Sequence, residues 1–109
     1  MSTATEFLKA LQEGFVNKDS SRCGEFMTDD WEFITGRGTR DKQWMMDWIA
    51  RGGNPTSIGD LEMLYENDEA AVGIHSAKNP ENNGQVMFFA RIQGGKFSHW
   101  RIVRAVISD

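Results

Sequence analysis

GQVMFFARIQGGKFSHWRIVRAVI, residues 84–107, is two long runs of aromatic and β-branched residues joined at Gln93-Gly94-Gly95-Lys96. That pattern predicts a β-hairpin. A three-residue loop with Gly95 in the left-handed region would form a bulged turn pairing Ile92 with Lys96, Ala90 with Ser98 and Phe88 with Trp100. A two-residue Gly-Gly turn would give other partners. In the first register Val86, Phe88, Ala90, Ile92, Trp100, Ile102, Arg104 and Val106 share one face, and Met87, Phe89, Arg91, Phe97, His99, Arg101, Val103 and Ala105 the other. Both faces are substantially apolar, whereas a sheet with one wet face alternates apolar and polar residues. Helices can cover one side only. The other needs a second cover, and a symmetric homodimer built sheet against sheet is the expectation, with His99, Arg101 and Arg91 as its polar part.

Upstream of this hairpin the period-two pattern continues at 58–66 and 70–78, with turns at Asn67-Asp68 and at Asn79-Pro80-Glu81-Asn82-Asn83-Gly84. Together with 85–93 and 96–107 this makes four successive strands, an antiparallel meander. Before Thr56 the period is mostly helical. Thr3 and Glu6 have capping-box spacing ahead of Phe7, Leu8, Leu11, Phe15 and Val16 on one face. Asn17-Lys18-Asp19-Ser20 breaks that helix, and Cys23, Phe26 and Met27 are the expected buried face of a short second one. Trp31–Thr35 reads as a strand ended by Gly36-Arg37-Gly38. Asp41 or Thr39 caps a third helix carrying Trp44, Met45, Trp48 and Ile49, which Gly52-Gly53 and Asn54-Pro55 stop. Helices first and strands afterwards predict an α+β fold, three N-terminal helices on one strongly curved antiparallel sheet.

The chain has 109 residues, enough for one domain spanning 1–109, with 39% apolar and 26% charged residues. Twelve basic and sixteen acidic side chains give a net charge of −4, which argues against nonspecific nucleic-acid binding. The balance is uneven: Arg91, Lys96, Arg101 and Arg104 face only Asp109 in the last segment. That basic segment either binds a small anion or pairs with the acidic remainder. No apolar run approaches the roughly 20 residues of a membrane span. The start, Met1 to Glu6, lacks the regions of a signal peptide, and a single cysteine needs no oxidising compartment, so the cytoplasm is the expected location. Cys23 reads as a small core residue.

The order of elements, with the stretches "FVNKDSSRCGEFMTDDWEF", "GRGTRDKQWMMDWI" and "RIQGGKFSHWRIVRAV", resembles the nuclear transport factor 2-like superfamily, in its SnoaL-like and ketosteroid-isomerase-like branch. The resemblance covers nearly the whole chain and implies a cone-shaped fold, its sheet wrapped around an internal pocket, with dimerisation through the sheet's outer face. Ketosteroid isomerase chemistry needs a carboxylate base and two donors forming an oxyanion hole. Carried onto this sequence, the base falls at Phe33, one donor at Phe88 and the other near Gln12. Phenylalanine cannot take or share a proton, and a glutamine alone is a weak donor.

These residues predict a small-molecule-binding domain with an apolar cone, noncatalytic or of unassigned activity, taking a hydrophobic or aromatic ligand. Trp31, Phe33, Trp44, Trp48, Phe88 and Trp100 would line or seal the pocket, and Arg104 would orient a carboxylate or phenolate. His75 is the candidate general base for the alternative, a SnoaL-like cyclase, dehydratase or isomerase. Gly73 and Ala77 on its face would leave it space for a ligand, although alternation alone does not say which face points inward. A third reading, a protein-interaction module, requires an apolar patch beyond the dimer interface. His75, His99 and Cys23 have no metal-ligand spacing, and no phosphate loop or nucleophile elbow is present, so neither metal nor cofactor is expected.

Overall fold

The computed structural model describes residues 3–53, 57–79 and 82–107. In chain order the elements are α1 (Thr3–Asn17), α2 (Ser21–Gly24), β1 (Met27–Thr35), β2 (Gly38–Asp41), α3 (Lys42–Ala50), β3 (Ser57–Glu66), β4 (Ala70–Lys78), β5 (Asn83–Gln93) and β6 (Lys96–Ile107). Three helices pack on one curved, unclosed six-stranded sheet, an α+β fold. The strand order is β2-β1-β6-β5-β4-β3.

The meander β3 to β6 is antiparallel as expected, but the whole sheet is mixed, because β1 joins β6 in parallel. This pairing also corrects the start of β1. Phe26 and Met27 do not belong to the second helix, which stops at Gly24; Phe97 N–H donates to the Phe26 carbonyl at 2.7 Å, and Met27 is in register with Phe97. A backbone partner seventy residues away overrides local helical pattern here. Met27 is nonetheless fully buried. The segment after Gly36-Arg37 is a further strand, β2, hairpinned to β1. Asp41 caps α3, its carboxylate accepting from Trp44 N–H at 2.9 Å. Gly52 and Gly53 then end that helix at positive φ, while the Asn54-Pro55 stop lies outside the described residues.

Two details of α1 differ from expectation. Thr3 is the first helical residue, and the Ala4 N–H is satisfied by Glu66 Oε1 at 3.0 Å, from the far end of β3. Val16 is 72% exposed and not on the buried face. It lies nine residues beyond Phe7, about two and a half helical turns, so it points away from the core.

The closing hairpin turns through two residues, Gly94 and Gly95, both at positive φ, with Gln93 opposite Lys96 and Ile92 opposite Phe97. The register then slips at Ser98, so that Arg91 pairs with His99, Ala90 with Trp100 and Phe88 with Ile102. The expected partners of Ala90 and Phe88 are therefore wrong by two residues and that of Ile92 by one. The extra residue restores the parity from His99 onward, so those side chains keep their expected faces. Phe97, however, expected on the outer face, is opposite Ile92 and packs fully buried on Phe7 and Trp100.

Beneath the helices, Phe7 sits at the centre of an aromatic core. Its ring centroid is 4.9 Å from Trp100, 5.5 Å from Phe97, and 5.7 Å from both Phe26 and Trp31. Phe88 stacks on Trp100 at 4.5 Å. Residues 71, 73, 75 and 77 of β4 and 84, 86, 88 and 90 of β5 are the buried set, so the concave face is the one under the helices.

Candidate functional site

Around the core the concave face carries partly open residues. Phe33 of β1, in register with Trp100, has Trp44 and Trp48 of α3 stacked on it. Toward the C-terminal end of β6 come Ile102 and the row of Arg104, Val86 and His75, with Ala77 and, opposite it on β3, Ile58. α1 is held over this end by Gln12, whose Oε1 accepts from Ile58 N–H at 2.8 Å. Phe33, Trp44, Trp48, Ile58 and Ile102 are packed against the core yet only half-buried.

The six aromatic residues expected to line a pocket thus divide into two groups. Trp31, Phe88 and Trp100 are 1%, 0% and 3% exposed and pack on one another and on Phe7, forming a solid floor. Phe33, Trp44 and Trp48 form a separate set with near-parallel rings: 5.4 Å between the two indoles and 6.4 Å from each to Phe33. Phe15 closes this set edge-on against Trp48 at 5.0 Å, and the Arg40 guanidinium lies 5.2 Å from the Trp44 ring.

His75 faces inward, 6% exposed, with its ring 6.1 Å from Phe88. The open space expected beside it over Gly73 is filled. A Cβ at Gly73 would stand 2.7 Å from Phe88 Cζ, so the glycine is where the Phe88 ring fits against the backbone. His75 Nδ1 is 3.0 Å from the Ser76 carbonyl oxygen. Burial pushes its pKa below the ordinary histidine value, while that hydrogen bond opposes the shift. The unfolded chain therefore takes up the proton first as pH falls. The stability contributed by His75 is whole above about pH 6.5 and drains away on acidification toward the depressed folded value. Urea midpoints should accordingly drop between about pH 7.5 and about pH 5, with a shallower drop in His75→Gln. An identical slope in that variant would contradict the linkage.

Arg104 shares a cross-strand row with His75, since both pair with Val86 from opposite sides. Its side chain folds over Gly84, and one terminal nitrogen donates to the Ala77 carbonyl at 3.0 Å and to Asn82 Oδ1 at 2.7 Å. It thereby ties β6 to the β4–β5 loop. The residue otherwise stays exposed at the rim. Asn82 was not singled out from sequence; read as loop, it carries no signal beyond turn chemistry.

At the positions carried over from ketosteroid isomerases, Phe33 is half-buried in the aromatic set, Phe88 is in the floor, and the Gln12 carbonyl oxygen is spent on Ile58. His75 and Ser98 are the buried polar residues among those described, so no Asp or Glu lies at the base. Cys23 is fully buried, its thiol pushed up to about 11 by burial, which leaves no thiolate for chemistry. Among the described residues no three His, Cys, Asp or Glu side chains could hold a metal ion, and no helix is long and apolar enough to cross a membrane.

On the convex face, His99 Nε2 lies 3.1 Å from Glu32 Oε1, and its Nδ1 is 2.9 Å from Ser98 Oγ. This Ser-His-Glu chain resembles a nucleophile relay, but Ser98 is 0% exposed and beyond the reach of a substrate. Elsewhere on this face Tyr65, Met87, Phe89 and Val103 are exposed by 56%, 51%, 38% and 68%. A separate open groove of about 480 Å³ between β1 and α3 is lined by Asp29, Asp41, Lys42 and Asp47 among others, and by none of the candidate residues.

No protein-family model matches this sequence, and no curated protein does. Solved structures do. An NTF2-like protein of unknown function from Cytophaga hutchinsonii superimposes with a TM-score of 0.77 at 12% identity, over 94% of this chain and 87% of that one. A protein from Kribbella flavida provisionally named a ketosteroid isomerase gives 0.76 at 5% identity, over 98% and 81%. Another from Rhodopseudomonas palustris, provisionally named an isomerase, gives 0.70 at 13%, over 95% and 90%. At such identities the likeness speaks for architecture and not for activity. The chain has the nuclear transport factor 2-like fold.

Proposed function

We propose that the protein binds a small aromatic or apolar molecule at the partly open residues of its concave face, and that it does so in the cytoplasm as a homodimer joined through the convex face. The observation that carries the binding reading is the half-buried, stacked set of Phe33, Trp44 and Trp48, with His75 inward on the same sheet face. Large rings left partly open on the concave side offer apolar area that a flat ligand can cover. Trp31, Phe88 and Trp100 form the floor on which it would rest, and the exposed donors of Arg104 would meet an anionic group at the rim.

Anilinonaphthalene sulfonate, an anionic aromatic dye, tests this. Saturable binding is expected, weakened about tenfold to a hundredfold by Trp48→Ala, since a large aromatic face contributes about 1.5–3 kcal/mol. Arg104→Ala, which removes no core group, should weaken it several-fold. Thermal melts of both variants report whether the fold persists. Absence of saturable binding, or unchanged affinity in both folded variants, would refute the assignment.

A second reading is favoured by one observation, the inward position of His75. On that reading the domain is a cyclase, dehydratase or isomerase using His75 as general base.

A further inference from the structure

We propose that the ligand of this concave site is an aromatic compound bearing a hydroxyl group, which donates a hydrogen bond to His75 Nε2, with an anionic group at its opposite end. The proposal rests on the binding-site reading above and specifies its ligand. His75 Nδ1 faces the Ser76 carbonyl oxygen at 3.0 Å. A carbonyl oxygen can only accept, so Nδ1 carries the proton. In the neutral ring Nε2 is then an acceptor. It has no hydrogen-bond partner among the described residues. Nor is it fully enclosed: among the described residues the enclosed side-chain nitrogen or oxygen without a partner is Trp31 Nε1. His75 is thus a residue more than nine-tenths buried with an unfilled acceptor that still reaches open space.

The neighbours decide what can fill it. Val86 and Phe88 beside the ring are apolar and supply no donor, and Ala77 follows on the same strand face. A carboxylate or phenolate would bring lone pairs to a lone pair, whereas a neutral hydroxyl brings the missing proton. The stacked Phe33, Trp44 and Trp48 suit a flat ring. Arg104 stands two strand spacings from His75 along their shared row, about 10 Å between backbones. A rigid hydroxyaryl acid is of that order of length, so its anion would fall at the rim while its hydroxyl is inside.

Para-hydroxycinnamate and para-methoxycinnamate, titrated into the full-length chain at about pH 8 where histidine is neutral, separate the possibilities. The hydroxyl compound should bind about tenfold more tightly, because a site holding an unpaired polar group rejects the analogue that cannot pair it. Equal affinities would overturn the hydroxyl assignment while leaving the binding site standing; saturable binding of neither would overturn both. His75→Phe should abolish the preference and His75→Gln, which keeps an acceptor oxygen, should retain part of it. A preference that persists in a folded His75→Phe protein excludes His75 as the acceptor. Nitrogen-15 NMR of the His75 ring needs no ligand: Nε2 is expected to be the unprotonated nitrogen, and a proton found there overturns the proposal.

Discussion

Phe7→Ala should lower the unfolding free energy by about 3–5 kcal/mol, the range for emptying a fully buried aromatic site. The ring is 0% exposed and touches four other aromatic rings that cannot collapse into its place without leaving their own contacts. For a domain of this size the melting temperature should fall by roughly 15–30 °C. Val16→Ala on the same helix is the control. Its side chain is 72% exposed, so its loss should stay within about 0.5 kcal/mol. Urea denaturation of both variants checks the pair, and a Phe7→Ala loss below about 1 kcal/mol would mean the aromatic core is not organised around that ring.

Met87→Asp should convert a dimer into a monomer while the chain remains folded. Met87 is central in a row of convex side chains, with Ile74 on one side and Val103 on the other. The helices reach only the concave face, and this row is left open to solvent in a single chain. Arg91, Arg101 and the Glu32–His99 pair flank it, the charged surround of an apolar centre. A carboxylate at the centre stays hydrated in the monomer but is buried without a partner in a dimer. That difference weakens association by about a hundredfold to several thousandfold. Light scattering should show twice the 12.4 kDa chain mass for the unaltered protein and a single chain mass for the variant. A wild-type monomer, or a variant that stays dimeric, removes the convex face from the interface.

How much of this was legible in the sequence varies by residue. The four long strands fall within one or two residues of their expected limits, because alternation along each strand is a local property of the side chains facing one core. Asp41 was readable as a cap for the same reason: it needs only the N–H groups three residues on. The site was less legible. That Phe33, Trp44 and Trp48 stay half-open while Trp31, Phe88 and Trp100 are sealed cannot be told from composition, since all six are large apolar rings. What separates them is whether they join the cluster in which Trp31 and Trp100 pack on Phe7 and Phe88 packs on Trp100, contacts made between different elements. Arg104 was readable as sharing the Trp100 face but not as the tie to Asn82, a contact across 22 positions.

By itself the sequence determined the helices-then-strands order, the alternation of each strand, and the absence of a carboxylate at Phe33 and Phe88. These depend on residue identity and on periods of two and 3.6, which each segment carries within itself. Tertiary structure alone decided that β1 lies parallel to β6, that Ser98 is the bulge that sends Phe97 into the core and restores the faces from His99 onward, and that His75 points inward with the Phe88 ring over Gly73. Each of these choices is made by a partner distant in the chain, and the energy of burying one ring against another exceeds the local preferences it overrides.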